Sequence, residues 1–88
     1  MTDDDRMNRA TRAQEVLGNK AFMATIESLE VSYIQAWKNA KTVEAREDAF
    51  RYVQLCKKFE RDLQSVVLDG QLVGKRVKEL EGRKSWLA

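Results

Sequence analysis

Cys56 is the single thiol of an 88-residue chain that contains no histidine. A thiolate nucleophile needs a basic or cationic neighbour to lower its pKa, so Cys56 reads as a small buried hydrophobe. Without histidine, Ser–His and Cys–His pairs and His-rich metal sites are excluded, and a lone cysteine excludes a thiolate zinc site. No Gly-rich phosphate-cradling motif occurs. Carboxylates do cluster, as Glu44 with Glu47 and Asp48, and as Glu60 with Asp62. Such pairs could serve general acid–base chemistry, but at helical spacing beside Arg51 they read as a solvated helix face with ion-paired neighbours. The chain is expected to be no enzyme and to hold no metal and no cofactor.

Cations offer a second chemistry. Residues 71–88 hold Lys75, Arg76, Lys78, Arg83 and Lys84 against Glu79 and Glu81, a local charge of +3 against +2 for the whole chain. Arg6, Arg9 and Arg12 form another basic row at helical spacing. Together with an aromatic Trp86, these eight cations could contact phosphates and stack on a base. The plainer reading is a solvated helix end whose cations sit at the negative pole of the dipole. Sixteen basic residues against 14 acidic ones make no global field that calls for a polyanion.

The elements that carry these residues are set by two hydrophobic repeats. Tyr52, Cys56, Phe59, Leu63, Val66, Gly70, Val73, Val77 and Leu80 alternate steps of four and three, the seam of a helix packed on another helix. Phe22, Ile26, Leu29, Tyr33, Ala36 and Ala40 form a matching seam upstream. The absence of proline and the 34% of charged residues suit long helices. Thr2–Asp5 is a capping signal, Gly18-Asn19 marks a corner, and Thr42 is a fresh N-cap. Gly70 keeps the seam in phase, so one helix is expected to pass through it, with Gly70 as the place for a bend; Gly82 marks a fraying end.

These signals predict an all-α single domain over 1–88. Its helices cover about 5–17, 20–40 and 43–83, with a tail at 84–88. The expected architecture is a long antiparallel, coiled-coil-like helical hairpin with a short additional N-terminal helix. In that register Gly18-Asn19 is expected near Gly70. A start of Met-Thr-Asp-Asp-Asp with no apolar run behind it, and no stretch of membrane-spanning length, predict a cytoplasmic protein with no membrane partner.

Apolar residues outside the seams shape the functional expectation. Met23, Ile34 and Trp37 flank the first seam, and Leu55, Val67 and Leu68 flank the second. A two-helix hairpin leaves much of this surface in water, and contiguous apolar surface marks an interface. These six residues, with Trp86 and Leu87 as a docking tail, are the expected protein interface, for a homo-oligomer or another protein. Leu29-Glu30, Tyr33-Ile34, Ala36-Trp37, Ala45-Arg46-Glu47, Leu63 and Asp69-Gly70, across residues 13–73, resemble small all-helical proteins encoded among bacteriophage and prophage head and virion genes. The resemblance implies a phage origin, a role in particle assembly or in the virion, and a phage protein as partner; it carries no functional residues to transfer. Three readings follow: a self-associating structural protein, a nucleic-acid-binding or packaging factor, and a modulator of a host protein.

Overall fold

The computed structural model describes the backbone of residues 1–87 and the side chains of residues 1–83. The described residues form three helices: α1 (Asp3–Leu17), α2 (Lys20–Asn39) and α3 (Val43–Leu87). Each start has a local cause. The Thr2 hydroxyl accepts from the Asp5 amide at 3.1 Å while the Asp5 carboxylate accepts from the Thr2 amide at 3.2 Å, a reciprocal capping box. The Asn19 side-chain oxygen accepts from the Phe22 amide at 3.0 Å, and the Thr42 hydroxyl from the Ala45 amide at 3.1 Å. Because Thr2 itself is the cap, α1 begins two residues earlier than expected.

α1 ends at Leu17, where it is expected to end, and α3 runs past its expected end. Gly18 closes α1 with φ −82°, in the right-handed region, so the corner makes no use of left-handed freedom. The amide of Gly18 bonds the Gln14 carbonyl and that of Asn19 the Val16 carbonyl, which completes the last turn. At the other end α3 does not stop near Arg83: it continues through Gly82 to Leu87, so the backbone expected as a tail is helical. A glycine in a helix costs about 1 kcal/mol relative to alanine, too little to end a helix that good helix formers continue. Gly70 is likewise passed without interruption.

Tertiary structure rests on α3. Its 45 residues, at 1.5 Å per residue, span about 68 Å, which accounts for the 70 Å long dimension of a molecule only 25 by 17 Å across. α1 and α2 follow one another along it, each packed on α3 and barely on each other. Partner numbers on α3 fall as those on α1 and α2 rise: Asp3 meets Arg76, Arg6 meets Asp69, Phe22 meets Phe59, and Tyr33 meets Tyr52.

The fully buried set is small: Ala10, Ala13, Ala49 and Val73, joined by Gly70. On α3 the most covered line runs Ala49, Val53, Cys56, Glu60, Leu63, Val67, Gly70. Six residues of the seam read from sequence are covered, Cys56, Leu63, Val66, Gly70, Val73 and Val77, while Tyr52, Phe59 and Leu80 stay 38–50% exposed. The upstream seam is split in the same way, Ile26 and Tyr33 half-buried and Phe22 and Leu29 about 40% exposed. The helices are therefore rotated so that the bulkiest seam residues lie at the edge of the contact.

The tightest contact is Gly70 against Ala10. A Cβ added at Gly70 would overlap the Ala10 Cβ and come to 3.4 Å from the Arg6 carbonyl oxygen. Gly70 thus faces the middle of α1, eight residues before Gly18 and about 12 Å along the helix from the corner expected to neighbour it. Gly70→Ala should force α1 away from α3. A net destabilisation of about 1–3 kcal/mol is expected despite the gain in helix propensity. Gly82→Ala, which meets nothing within 4 Å, should stabilise by up to about 1 kcal/mol. Thermal unfolding followed by circular dichroism checks both, and Ala10→Gly should partly rescue Gly70→Ala.

Candidate interaction surfaces

An ion-pair network ties α1 to α3 around the Ala10–Gly70 contact. The Arg6 guanidinium donates from Nε to Asp69 Oδ2 at 2.9 Å and from its second nitrogen to Asp69 Oδ1, a bidentate pair. Asp3 bonds Arg76 at 3.0 Å and lies 3.9 Å from Arg6. The hydrogen bond from Arg6 holds the Asp69 carboxyl below its ordinary value; partial burial opposes this, and the fields of Arg6, Arg9 and Arg76 add to it. The other ion pairs, Arg51 with Glu47 and Asp48 and Lys58 with Asp62, lie within α3 on exposed turns.

This network bears on the basic residues. α1 lies along the second half of α3, so the two basic rows do share one end of the molecule. Arg6 and Arg76 are engaged by Asp69 and Asp3 rather than free for phosphates. Arg9 donates to the Met1 sulfur at 3.2 Å, and Asp3, Asp4 and Asp5 crowd the same end. Arg9, Arg12, Lys75, Lys78 and Arg83 are exposed, Lys75 and Lys78 along a shallow groove that also takes in Met7 and Glu81. The Lys84 side chain lies outside the described residues. The two pairs that tie α1 to α3, Arg6 with Asp69 and Asp3 with Arg76, join residues 63 and 73 positions apart, beyond the reach of local spacing.

Cys56 is half-buried on the covered line of α3. Burial pushes its thiol up, and the charges of Glu30 and Glu60 push in the same direction. Those influences disfavour the thiolate form. Among the described residues no group of three or more His, Cys, Asp or Glu side chains is placed to hold a metal ion. No helix of the described residues is long and apolar enough to cross a membrane.

Apolar surface dominates what remains. On one side of the α2–α3 pair, Ile34, Trp37, Phe50 and Val53 line a cleft of about 180 Å³ with Lys57 at its edge. Arg46, Glu47 and Arg51 crowd its outer rim, and farther along the same side become polar, with Glu30, Gln54, Glu60 and Arg61. On the opposite side Phe22 stacks obliquely on Phe59, with ring centroids 5.9 Å apart, and Tyr33 on Tyr52 at 4.9 Å. At 100° per residue Leu55 falls on this aromatic side, about 200° around α3 from Val53.

The six flanking residues expected to form one interface are therefore distributed. Met23, Ile34 and Val67 are half-buried and contribute to packing between helices. Trp37 is 43% exposed on the cleft side, Leu55 is 62% exposed on the aromatic side, and Leu68 is 58% exposed. Trp86 and Leu87 belong to the α3 backbone, and their side chains lie outside the described residues. Spacing along α2 and α3 identified surplus apolar residues but not their sides, since Phe22, Leu29, Tyr52 and Phe59 were assigned to the buried seam.

No protein family, curated protein or solved structure matches this chain.

A carboxylate whose folded pKa is depressed adds stability that is present above its unfolded value and is lost as pH falls through the folded value. Asp69→Asn should therefore lower the melting temperature at neutral pH. The gap from wild type should hold down to about pH 4, near the unfolded aspartate value, and close at more acidic pH as Asp69 protonates. Parallel melts of both proteins across this range check the sign.

Proposed function

We propose that this protein is a non-enzymatic, self-associating structural component: an antiparallel, coiled-coil-like helical hairpin that works by presenting an apolar surface. One observation carries the reading. Among the described residues thirteen large hydrophobic side chains are exposed while four hydrophobic residues are buried. A chain with so little core is marginal alone, and association is the usual remedy at this size. The suppressed Cys56 thiol and the solvated ion pairs of α3 offer no competing chemistry. The setting implied by the resemblance is phage particle assembly or the virion, within a host cytoplasm and with another phage protein as an alternative partner.

Nucleic-acid binding through Arg9, Arg12, Lys75, Lys78 and Arg83 is the second reading. The supporting observation is their exposure at one end of the molecule. The partnering of Arg6 and Arg76 by carboxylates weighs against it. Modulation of a host protein would use the same apolar surface toward a foreign partner.

Light scattering on the purified chain at low and moderate salt tests the proposal. A defined oligomer that persists as salt is raised is expected, because apolar contacts are insensitive to screening. A monomer under both conditions would overturn it. Retention on DNA or RNA at low salt, lost steeply as salt rises, would favour the second reading.

A further inference from the structure

We propose that the aromatic side of the α2–α3 pair, centred on Phe22, Leu29, Tyr52, Leu55 and Phe59, binds the same side of a second copy of this chain to form a four-helix bundle. This rests on the self-association reading above and assigns it a surface and an occupant.

The geometry of the side is the first support. The five residues are 38–62% exposed and lie next to one another across both helices, joined by the Phe22–Phe59 and Tyr33–Tyr52 stacks. Four of them are seam residues. Helices that satisfied their seams within one chain would bury these rings; here they are turned to the edge of the contact, where a neighbouring pair of helices would close over them. A bundle helix has two neighbours and needs a stripe wide enough for both, which is the width these helices carry.

Charge is the second support. Along α2, Phe22, Thr25, Leu29, Ser32 and Ala36 turn toward this side at 100° per residue, and none is ionisable. Along α3 the same rotation brings Asp48 and Asp62 onto this side beside Leu55, and each is paired within its own helix, with Arg51 and Lys58. Two identical surfaces can therefore approach without repelling. The opposite side is less suited, since its cleft is confined to the end near Thr42 and bordered by Arg46, Glu47, Arg51 and Lys57.

Size selects the occupant. Twenty residues of α2 make a strip about 30 Å long, and two adjacent helices make it about 20 Å wide. That is roughly 600 Å² per copy and about 1,200 Å² in a dimer, at the threshold for a specific, stable interface. A single partner helix, about 10 Å across, would cover only half of it. A second copy supplies a surface two helices wide with the same apolar content.

Sedimentation of the full-length chain from micromolar to submillimolar concentration tests the assignment, with Leu55→Lys and Thr25→Lys on the proposed surface and Phe50→Lys and Leu72→Lys off it. Thr25 is exposed and uses its hydroxyl only for the Ala21 carbonyl, so Thr25→Lys adds charge to the surface without removing apolar packing. The expected result is a wild-type dimer that both surface variants weaken about tenfold or more while helicity is kept, and that the two off-surface variants leave intact. If Leu55→Lys loses helicity, Thr25→Lys alone decides. A dimer that resists Thr25→Lys but yields to Phe50→Lys or Leu72→Lys would overturn this surface and leave self-association standing. A wild-type monomer throughout would overturn both.

Discussion

The close approach of α1 to α3 at Ala10 and Gly70 is the contact on which the rest of the molecule depends. A helix in a folded protein draws most of its stability from tertiary packing of its apolar face, so the 45 residues of α3 need contacts along their length. α2 supplies them along one half with large side chains that are only half covered. Along the other half α1 has fifteen residues to work with, and it succeeds by proximity rather than bulk: two alanines against a glycine and Val73, all buried. Small residues at a helix contact let the backbones approach and bring more atoms within dispersion range. They leave no room for an added methyl group at Gly70.

The electrostatics follow from that approach. Once α1 lies close to α3, Arg6 comes within reach of Asp69 and Asp3 within reach of Arg76. Both pairs are partly solvated, and such pairs contribute little to stability on their own. Their larger effect is to fix register, since sliding α1 by one turn would separate both at once and bring Arg6 toward the cations of α3. The same pairing withdraws two of the eight cations that the sequence offers to a polyanion. Packing and charge at this end thus serve the fold first.

Sequence and structure agree where the signal is local and part where it is rotational. Thr2, Asn19 and Thr42 cap the three helices because a side-chain oxygen two or three residues before a free amide finds it whatever the rest of the chain does. The constant phase of Leu63, Val66, Gly70 and Val73 was enough to carry α3 through a glycine. Spacing alone could not choose which edge of a broad apolar stripe faces the partner. Ala49, Val53 and Glu60 lie within a quarter turn of Tyr52, Cys56 and Phe59, and the three-four rhythm fits either line. The choice is made by what α2 presents, and hence by contacts such as Phe22–Phe59 and Tyr33–Tyr52 between residues distant in sequence. For the same reason the Arg6–Asp69 pair was invisible, and the candidate interface was drawn from residues that the fold separates onto different sides.

This elongated molecule carries its bulkiest seam residues at the edge of its own contacts, and its apolar surface is divided between a covered line and an exposed one. The covered line from Ala49 to Gly70 holds the three helices together, and it uses small or medium side chains. The rings of Phe22, Tyr52 and Phe59 contribute less to that contact than their size would allow. A compact three-helix arrangement, with α1 folded onto α2, would have covered them, but the corner at Gly18-Asn19 keeps α1 on α3 and leaves α1 and α2 nearly without mutual contact. Extension along α3 therefore has a consequence for the surface. Every residue that α1 spends on the far half of α3 is unavailable to cover the aromatic side of α2, and Phe22, Leu29, Tyr52 and Phe59 stay 38–50% exposed there.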